Sequence, residues 1–308
     1  MQAIVQDSYQ GIDALKLVNQ PTPHLSPLGV GIETRYTPVM PYDVLTETGQ
    51  LHQLRPVRLP IVVGYGFGGI VRQVGRLRNA RLRNQPVIGV HLQGSHQEQL
   101  VSTVPPLLFP VPENVSLAAA TTLIGGADAA YFAVKKSHLQ PGATILVTGA
   151  SGGVGTYLIQ LLRLFGQHVI AVGHSSRHDF LRELGADQVV AYDRPLTNQI
   201  AGFNAVTQII DLAGSVTLLD QLTANLVSAP ILSLALQRYS SPSKLPFAFA
   251  SGAISPGDYR WLLAQLAQHT LKAMIQAQLP FTAVKTAQHH LLADHAAGRI
   301  LLTYNQEV

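Results

Sequence analysis

The chain has no cysteine among its 308 residues. That excludes disulfides, cysteine nucleophiles and thiolate-ligated zinc. Charge is scarce, with Asp, Glu, Lys and Arg making up 12%. No Lys/Arg run is long enough for a nucleic-acid arm. The densest basic stretch holds Arg76, Arg78, Arg81 and Arg83 with no aromatic between them, and reads as a solvated loop. Long apolar runs are missing too, since none approaches the ~18 residues of a membrane span. Residues 1–10 show no basic region followed by an apolar stretch. A cytoplasmic chain without nucleic-acid or membrane partners is therefore expected. What is abundant is hydrophobic sequence, at 47%, with a modest net charge of +4. This is a globular composition, and the length predicts two domains.

Residues 1–114 read as an irregular β-rich domain. Strands are expected at Met1–Gln6, Val30–Tyr36, Gly69–Val74, Pro86–Leu92 and Gln99–Val104. Prolines recurring from Pro21 to Pro112 preclude long helices there. The pattern changes at Val115. Ser116 can cap a helix running from Leu117 to Lys136, interrupted at Gly125-Gly126. Strands at 143–148, 168–172, 188–192, 207–212 and 230–235 then alternate with helices at 154–166, 177–184, 215–226 and 257–270. Such alternation predicts a doubly wound parallel sheet over 115–271. The tail, 272–308, reads strand (Ala273–Leu279), helix (Thr282–Ala297), strand (Arg299–Tyr304).

The most informative stretch is ATILVTGASGGVG, residues 143–155. A short apolar strand ends in a glycine turn, and an apolar helix follows at once, the context that gives a dinucleotide fingerprint its meaning. Gly149 would make the tight turn. Gly152 and Gly153 would leave the backbone bare for a pyrophosphate, and Gly155 would let the helix lie close to the sheet. The helix N-terminus adds N–H donors.

The second strand points to one nicotinamide dinucleotide over the other. An NAD site places an acid about 20 residues past the first glycine to hold the ribose 2′-hydroxyl. Here His168–Val172 is followed by Gly173, His174, Ser175, Ser176 and Arg177, with no acid before Asp179. Hydroxyls and a guanidinium suit a 2′-phosphate, so NADPH is expected. Ser175 or Ser176 could equally cap the next helix.

At this point the sequence resembles the zinc-independent quinone oxidoreductase branch of the medium-chain dehydrogenase/reductase superfamily. The matching pieces come in the family's order: PVMPYDVLTETG (38–49), VGYGFGGIVRQVG (63–75), LLFPVPENVSLAAATTL (107–123), the long segment 145–193, IIDLAGS (209–215) and AAGRILLTY (296–304). The resemblance implies an α/β fold, with a GroES-like β-rich substrate domain (1–114, completed by 272–308) beside a Rossmann domain (115–271), and the cofactor in the cleft between them. It implies cofactor contacts from Gly149, Ser151, Gly152, Gly153, Val154, Gly155, Ser175, Ser176, Arg177, Tyr192, Ala213 and Leu234. It also implies hydride transfer from NADPH to a quinone or an α,β-unsaturated carbonyl, with no metal. Departures exist. Tyr65 and Gly66 stand where zinc members carry His and Glu. Met40 replaces an Asn, Asn84-Gln85-Pro86-Val87 replaces a Gly-Asp-Arg-Val turn, Asp128 stands where Thr is frequent, and Arg299 takes a lysine's place.

The acceptor needs a proton from solvent or a nearby hydroxyl, and Tyr42 is a candidate by position. Asp43 has two readings, orienting the cofactor or capping a short helix at 43–48. His174, His178, His289, His290 and His295 read as surface residues rather than ligands. A second class of function is an NADPH-binding sensor or partner protein with little turnover. A homodimer is expected from the apolar edge made by Ile231–Leu236 and Phe247–Ile254.

Overall fold

Strands dominate the chain as far as Pro110. The computed structural model describes residues 1–53, 56–103, 107–201, 203, 205–226, 228–293 and 295–304. The expected strand end at Val104, the pair Pro105-Pro106, Asp294 of the expected tail helix and residues 305–308 lie outside the described residues. The chain divides into two units. The first comprises Met1–Gly125, Pro256–Asp294 and Arg299–Val308, and the second Gly126–Ser255 and His295–Gly298.

The first unit opens with β1 (Gln2–Gln6), β2 (Lys16–Asn19), β3 (Val30–Pro38), α1 (Pro41–Glu47), β4 (Ile61–Val62), β5 (Gly66–Val74), β6 (Pro86–Val90), β7 (Gln99–Ser102), β8 (Leu108–Pro110) and α2 (Leu117–Thr121). It is completed by α8 (Pro256–Ala267), β15 (Ile275–Pro280), α9 (Val284–Ala293) and β16 (Arg299–Thr303). The second unit holds α3 (Asp128–Ser137), β9 (Thr144–Thr148), α4 (Gly155–Leu164), β10 (His168–Gly173), α5 (His178–Glu183), β11 (Gln188–Ala191), α6 (Leu196–Ile200), β12 (Val206–Asp211), α7 (Val216–Thr223), β13 (Ile231–Ser233) and β14 (Phe247–Phe249).

In the first unit β3 is the hub. It pairs antiparallel with β5, β7 and β16. Val30 and Ile32 point inward and join Phe67, Val71, Val87, Leu100 and Leu108 in one core. A second core gathers Ile4, Val39, Phe281, Ile300, Leu302 and Tyr304. Helix α1 begins at Pro41, two residues earlier than expected, because proline's fixed φ suits the first helical position. Asp43 Oδ2 accepts the Met40 N–H at 3.0 Å, so its carboxylate closes the first turn.

The six strands of the second unit are all parallel, in the order β11-β10-β9-β12-β13-β14. Ile145, Leu146 and Val147 of β9 are fully buried. A central parallel strand has both faces covered and reads as a continuous apolar run. The order reverses between β9 and β12, which makes a topological switch point at their C-terminal ends.

Two domain boundaries differ from expectation. The Leu117–Lys136 run breaks where foreseen: Ile124 is extended and Gly125 has φ +66°, so α2 ends and α3 starts afresh. The first unit therefore reaches Gly125 rather than 114. At the other end the second unit stops at Ser255, not 271. Helix α8 belongs with the β-rich unit because Tyr259 stacks on Phe109 at 4.6 Å and the Asn114 amide donates to Ala267 O at 2.7 Å. The tail is not wholly part of the β-rich unit either. Residues 295–298 join the second unit, where Gly298 N–H donates to Ser151 O at 2.9 Å. The tail helix accordingly ends at Ala293 instead of 297.

One buried group of the first unit gives a test. Glu47 is 0% exposed, and its Oε1 accepts from Gln288 Nε2 at 2.8 Å. Its Oε2, with Gln6 Oε1 and Gln288 Oε1, has no hydrogen-bond partner among the described residues. Burial, partly offset by the Gln288 bond, pushes this carboxyl from 4.5 up to about 7. A raised carboxyl pKa favours the folded state below the unfolded value and loses that advantage as pH rises through the folded value. Glu47→Gln should therefore gain stability over the parent between pH 5 and pH 8, by roughly 3 kcal/mol at most. Denaturant unfolding at both pH values measures it. A parent–variant difference that stays constant with pH would show that Glu47 does not titrate in this range.

Candidate functional site

The C-terminal ends of five adjacent parallel strands carry every residue expected to touch a cofactor. The β9–α4 turn supplies Gly149, Ser151, Gly152, Gly153, Val154 and Gly155. Ser175, Ser176 and Arg177 form a 3-10 turn after β10, Tyr192 follows β11, Ala213 follows β12 and Leu234 follows β13. The structure brings them together around the switch point.

The glycines of the turn do different work. Gly149 has φ +62°, which L side chains rarely adopt. A Cβ on Gly155 would lie 2.4 Å from Gly149 O and 2.5 Å from Ala150 O, so the fold itself demands glycine there. Gly152 is different. A Cβ there would meet only Gly149 O, at 3.3 Å, with no positive φ. Intramolecular packing therefore constrains position 152 far less than position 155.

The strand ends on the β12 side are tied by a buried carboxylate. Asp211, 0% exposed, accepts from Thr148 Oγ1 at 2.6 Å, Ser233 Oγ at 2.7 Å and Gly214 N–H at 3.2 Å. Thr148 Oγ1 accepts the Ala213 N–H at 3.3 Å. The Leu234 N–H donates to Asp211 O at 2.9 Å.

On the β11 side a polar cluster stands nearer solvent. Ser175 N–H and Oγ donate to the two carboxylate oxygens of Asp193 at 2.8 and 2.7 Å. Arg177 donates from Nε and an η nitrogen to His295 O at 3.3 and 2.8 Å. The His295 ring stacks on His174 at 3.7 Å between centroids, and its Nδ1 lies 3.1 Å from the Tyr192 hydroxyl. Ser176 Oγ lies 2.9 Å from His174 Nδ1. The Ser175 hydroxyl, opposed in part by desolvation and helped by the Ser175 N–H, holds the Asp193 carboxyl down from 3.8 to about 2.

Two of these residues were not foreseen. No acid follows the second strand before Asp179, yet Asp193 stands beside the Ser-Ser-Arg turn in space. The acid comes from the next strand, not the second. The parallel pairing of Gly173 with Ala191 is the signal that could have found it, since it sets Ser175 beside Asp193 two residues further on. His295 was read as a surface helix residue; it lies beyond α9 and packs on His174 instead.

Tyr42 and Asp43, the candidates for chemistry, sit together in the first turn of α1. Asp43 is buried and Tyr42 is exposed. Among the described residues no group of three or more His, Cys, Asp or Glu side chains could hold a metal. Among them, too, no helix is long and apolar enough to cross a membrane.

No protein-family model matches the chain. Curated relatives do. A spinach chloroplast quinone-oxidoreductase homolog is 31% identical over 204 residues, 63% of this chain and 62% of its own length. The tomato 2-methylene-furan-3-one reductase is 30% identical over 63% of this chain and 53% of its own. The chain thus spans less than two thirds of these relatives. Solved structures align throughout. The Coxiella burnetii quinone oxidoreductase superposes with a TM-score of 0.86 at 23% identity, covering 99% of both chains. A mycobacterial protein complexed with NADPH gives 0.84 at 21% identity, covering 99% of this chain and 100% of its own. The chain is thus similar to quinone oxidoreductase homologs and an enone reductase over part of its length, and to quinone oxidoreductases in fold throughout. Its fold is that of these solved structures, a β-rich unit with a Rossmann unit.

The position that the resemblance aligns with the zinc members' Glu is closely packed. A Cβ on Gly66 would lie 2.4 Å from Ile124 Cγ2. The Met40 departure is also a packing feature, because its Sδ fills the space beside Gly125.

The glycine geometry generates a stability test. Gly155→Ala should lose about 1–3 kcal/mol, because the new methyl meets backbone that cannot swing away. Gly152→Ala should stay within about 1 kcal/mol of the parent. Denaturant melts of the two variants measure this, and equal losses would refute the division of labour.

Proposed function

We propose that this chain is an NADPH-dependent oxidoreductase that delivers hydride to a quinone or an α,β-unsaturated carbonyl. One observation carries the reading: five parallel strand ends converge the glycine turn, Ser175-Ser176-Arg177, Tyr192, Ala213 and Leu234 on one switch point. The space over Gly152 suits a pyrophosphate, and the Ser175-Ser176-Arg177 turn lies where an adenosine ribose phosphate would end, with the Ser175 donors already bound to Asp193. The NADPH complex of a structural neighbour and the enone reductase among the relatives favour the same reading. When bound, the cofactor supplies the hydride, and the protein's task is to hold, orient and exclude water.

The absence of cysteine and the filled space at Gly66 favour chemistry without zinc. A conjugated acceptor needs no Lewis acid to be electrophilic. Its proton would come from solvent or the Tyr42 hydroxyl. Asp43 serves the turn that presents Tyr42, because its carboxylate already binds the Met40 N–H.

The decisive assay is NADPH oxidation against a panel of quinones and enones, with NADH as control. Turnover with at least one acceptor supports the reading. Tight binding without turnover for any acceptor would instead favour a sensor or partner protein. In nucleotide titrations, Arg177→Ala should weaken NADPH by about tenfold or more and NADH little, as for loss of a charge-assisted hydrogen bond worth about 1.5–3 kcal/mol. Gly152→Val should weaken both. Equal effects of Arg177→Ala on the two nucleotides would remove the 2′-phosphate assignment.

We further infer a homodimer. The parallel sheet ends at β14, only three residues long, whose Ala248 is exposed. An uncovered sheet edge pairs readily, and a two-fold axis lets the same edge meet its copy. Light scattering at micromolar concentration should give twice the 33.1 kDa chain mass. A single species at the chain mass would refute pairing.

A further inference from the structure

We propose that Asp193 limits how strongly this chain prefers NADPH over NADH: its carboxylate occupies the Ser175 donors that a ribose 2′-phosphate would need, whereas a ribose 2′-hydroxyl would find in it an acceptor. The inference rests on the dinucleotide reading above and deepens it.

The geometry has three parts. First, register fixes the pair. Gly173 of β10 faces Ala191 of β11 as the last pair of a parallel ladder, and two residues beyond each strand end Ser175 meets Asp193. Second, the contact is bidentate. Ser175 N–H reaches Oδ1 at 2.8 Å while its hydroxyl reaches Oδ2 at 2.7 Å. A backbone N–H and an adjacent hydroxyl are the donor pair that binds a phosphate oxygen or a carboxylate. The turn therefore already holds an anion, and that anion is part of the protein. Third, the carboxylate is charged at neutral pH, because the Ser175 bonds hold its pKa to about 2.

The surroundings favour an anion without favouring one in particular. Arg177 lies two residues from Ser175, with its guanidinium held by His295 O. His174 Nε2 stands 3.6 Å from Asp193 Oδ2. A dianionic 2′-phosphate arriving beside Arg177 must either displace Asp193 from Ser175 or sit next to a like charge, and both weaken binding. A neutral 2′-hydroxyl faces neither penalty and can donate to the same carboxylate, the role an acid at the end of the second strand fills in NAD sites. The acid is thus supplied from the neighbouring strand.

The test uses the full chain and four probes. NADPH and NADH are titrated by fluorescence, and adenosine 2′,5′-bisphosphate and 5′-AMP by calorimetry, because the last two isolate the 2′-phosphate. Asp193→Asn preserves size and removes the charge, and Asp193→Ala removes the side chain. Both variants should bind NADPH and adenosine 2′,5′-bisphosphate about tenfold tighter than the parent, with NADH and 5′-AMP unchanged or weaker. Thermal melts confirm that the turn is intact, since Asp193 lies near the surface. Unchanged affinities, or parallel changes for phosphorylated and unphosphorylated probes, overturn the inference and leave the dinucleotide reading standing. If the parent chain binds neither NADPH nor NADH, the dinucleotide reading itself falls.

Discussion

The Asp211 carboxylate is the constraint on which the crevice depends. It is completely buried at the end of a central parallel strand, where an unpaired charge would be prohibitive. Three donors meet it: the Thr148 hydroxyl from β9, the Ser233 hydroxyl from β13 and the Gly214 N–H from its own loop. The two hydroxyls then accept in turn. Thr148 takes the N–H groups of Leu212 and Ala213, and Ser233 those of Ala235 and Leu236. Three strands and two loops are locked by one satisfied network. Such a network rigidifies because a rearrangement would strand several buried polar groups together. The glycine turn at Gly149 runs directly from Thr148, so its geometry inherits this rigidity.

The parts of the fold visible in the sequence were those written locally. The β9 run Ile145–Val147 is apolar because both its faces are covered, and the turn after it is glycine-rich because Gly149 and Gly155 have steric reasons to be glycine. The break at Gly125 was visible for the same reason: a positive φ leaves a residue signature. Helix α8 was assigned to the wrong unit because its period announces a helix without saying what covers it. Only the Phe109–Tyr259 stack and the Asn114–Ala267 bond decide that.

The polar half of the site was legible only in part, and the missing part had one physical origin. Ser175, Ser176 and Arg177 are contiguous and can be read as a motif. Asp193 reaches them through strand pairing, and His295 through the tail's return to the Rossmann unit. A side chain brought in by a ladder has no local signal unless the register of that ladder is derived first. A count of residues along one strand misses this cluster, because it is assembled from the ends of two strands and a returning segment.

The contrast between the two sides of the crevice bears on selectivity. Around Asp211 the groups are buried and fully paired, and they would meet the parts common to both nicotinamide dinucleotides. Around Asp193 the groups lie near solvent, where water screens each contact. A preference of 1.4 kcal/mol is already tenfold. On the proposed reading, cofactor choice would rest on a few weak, adjustable contacts, on a scaffold whose rigidity comes from elsewhere. One carboxylate beside the Ser175 turn could then shift it without disturbing the fold, because its bonds are made to that turn and not to the core or the glycine turn.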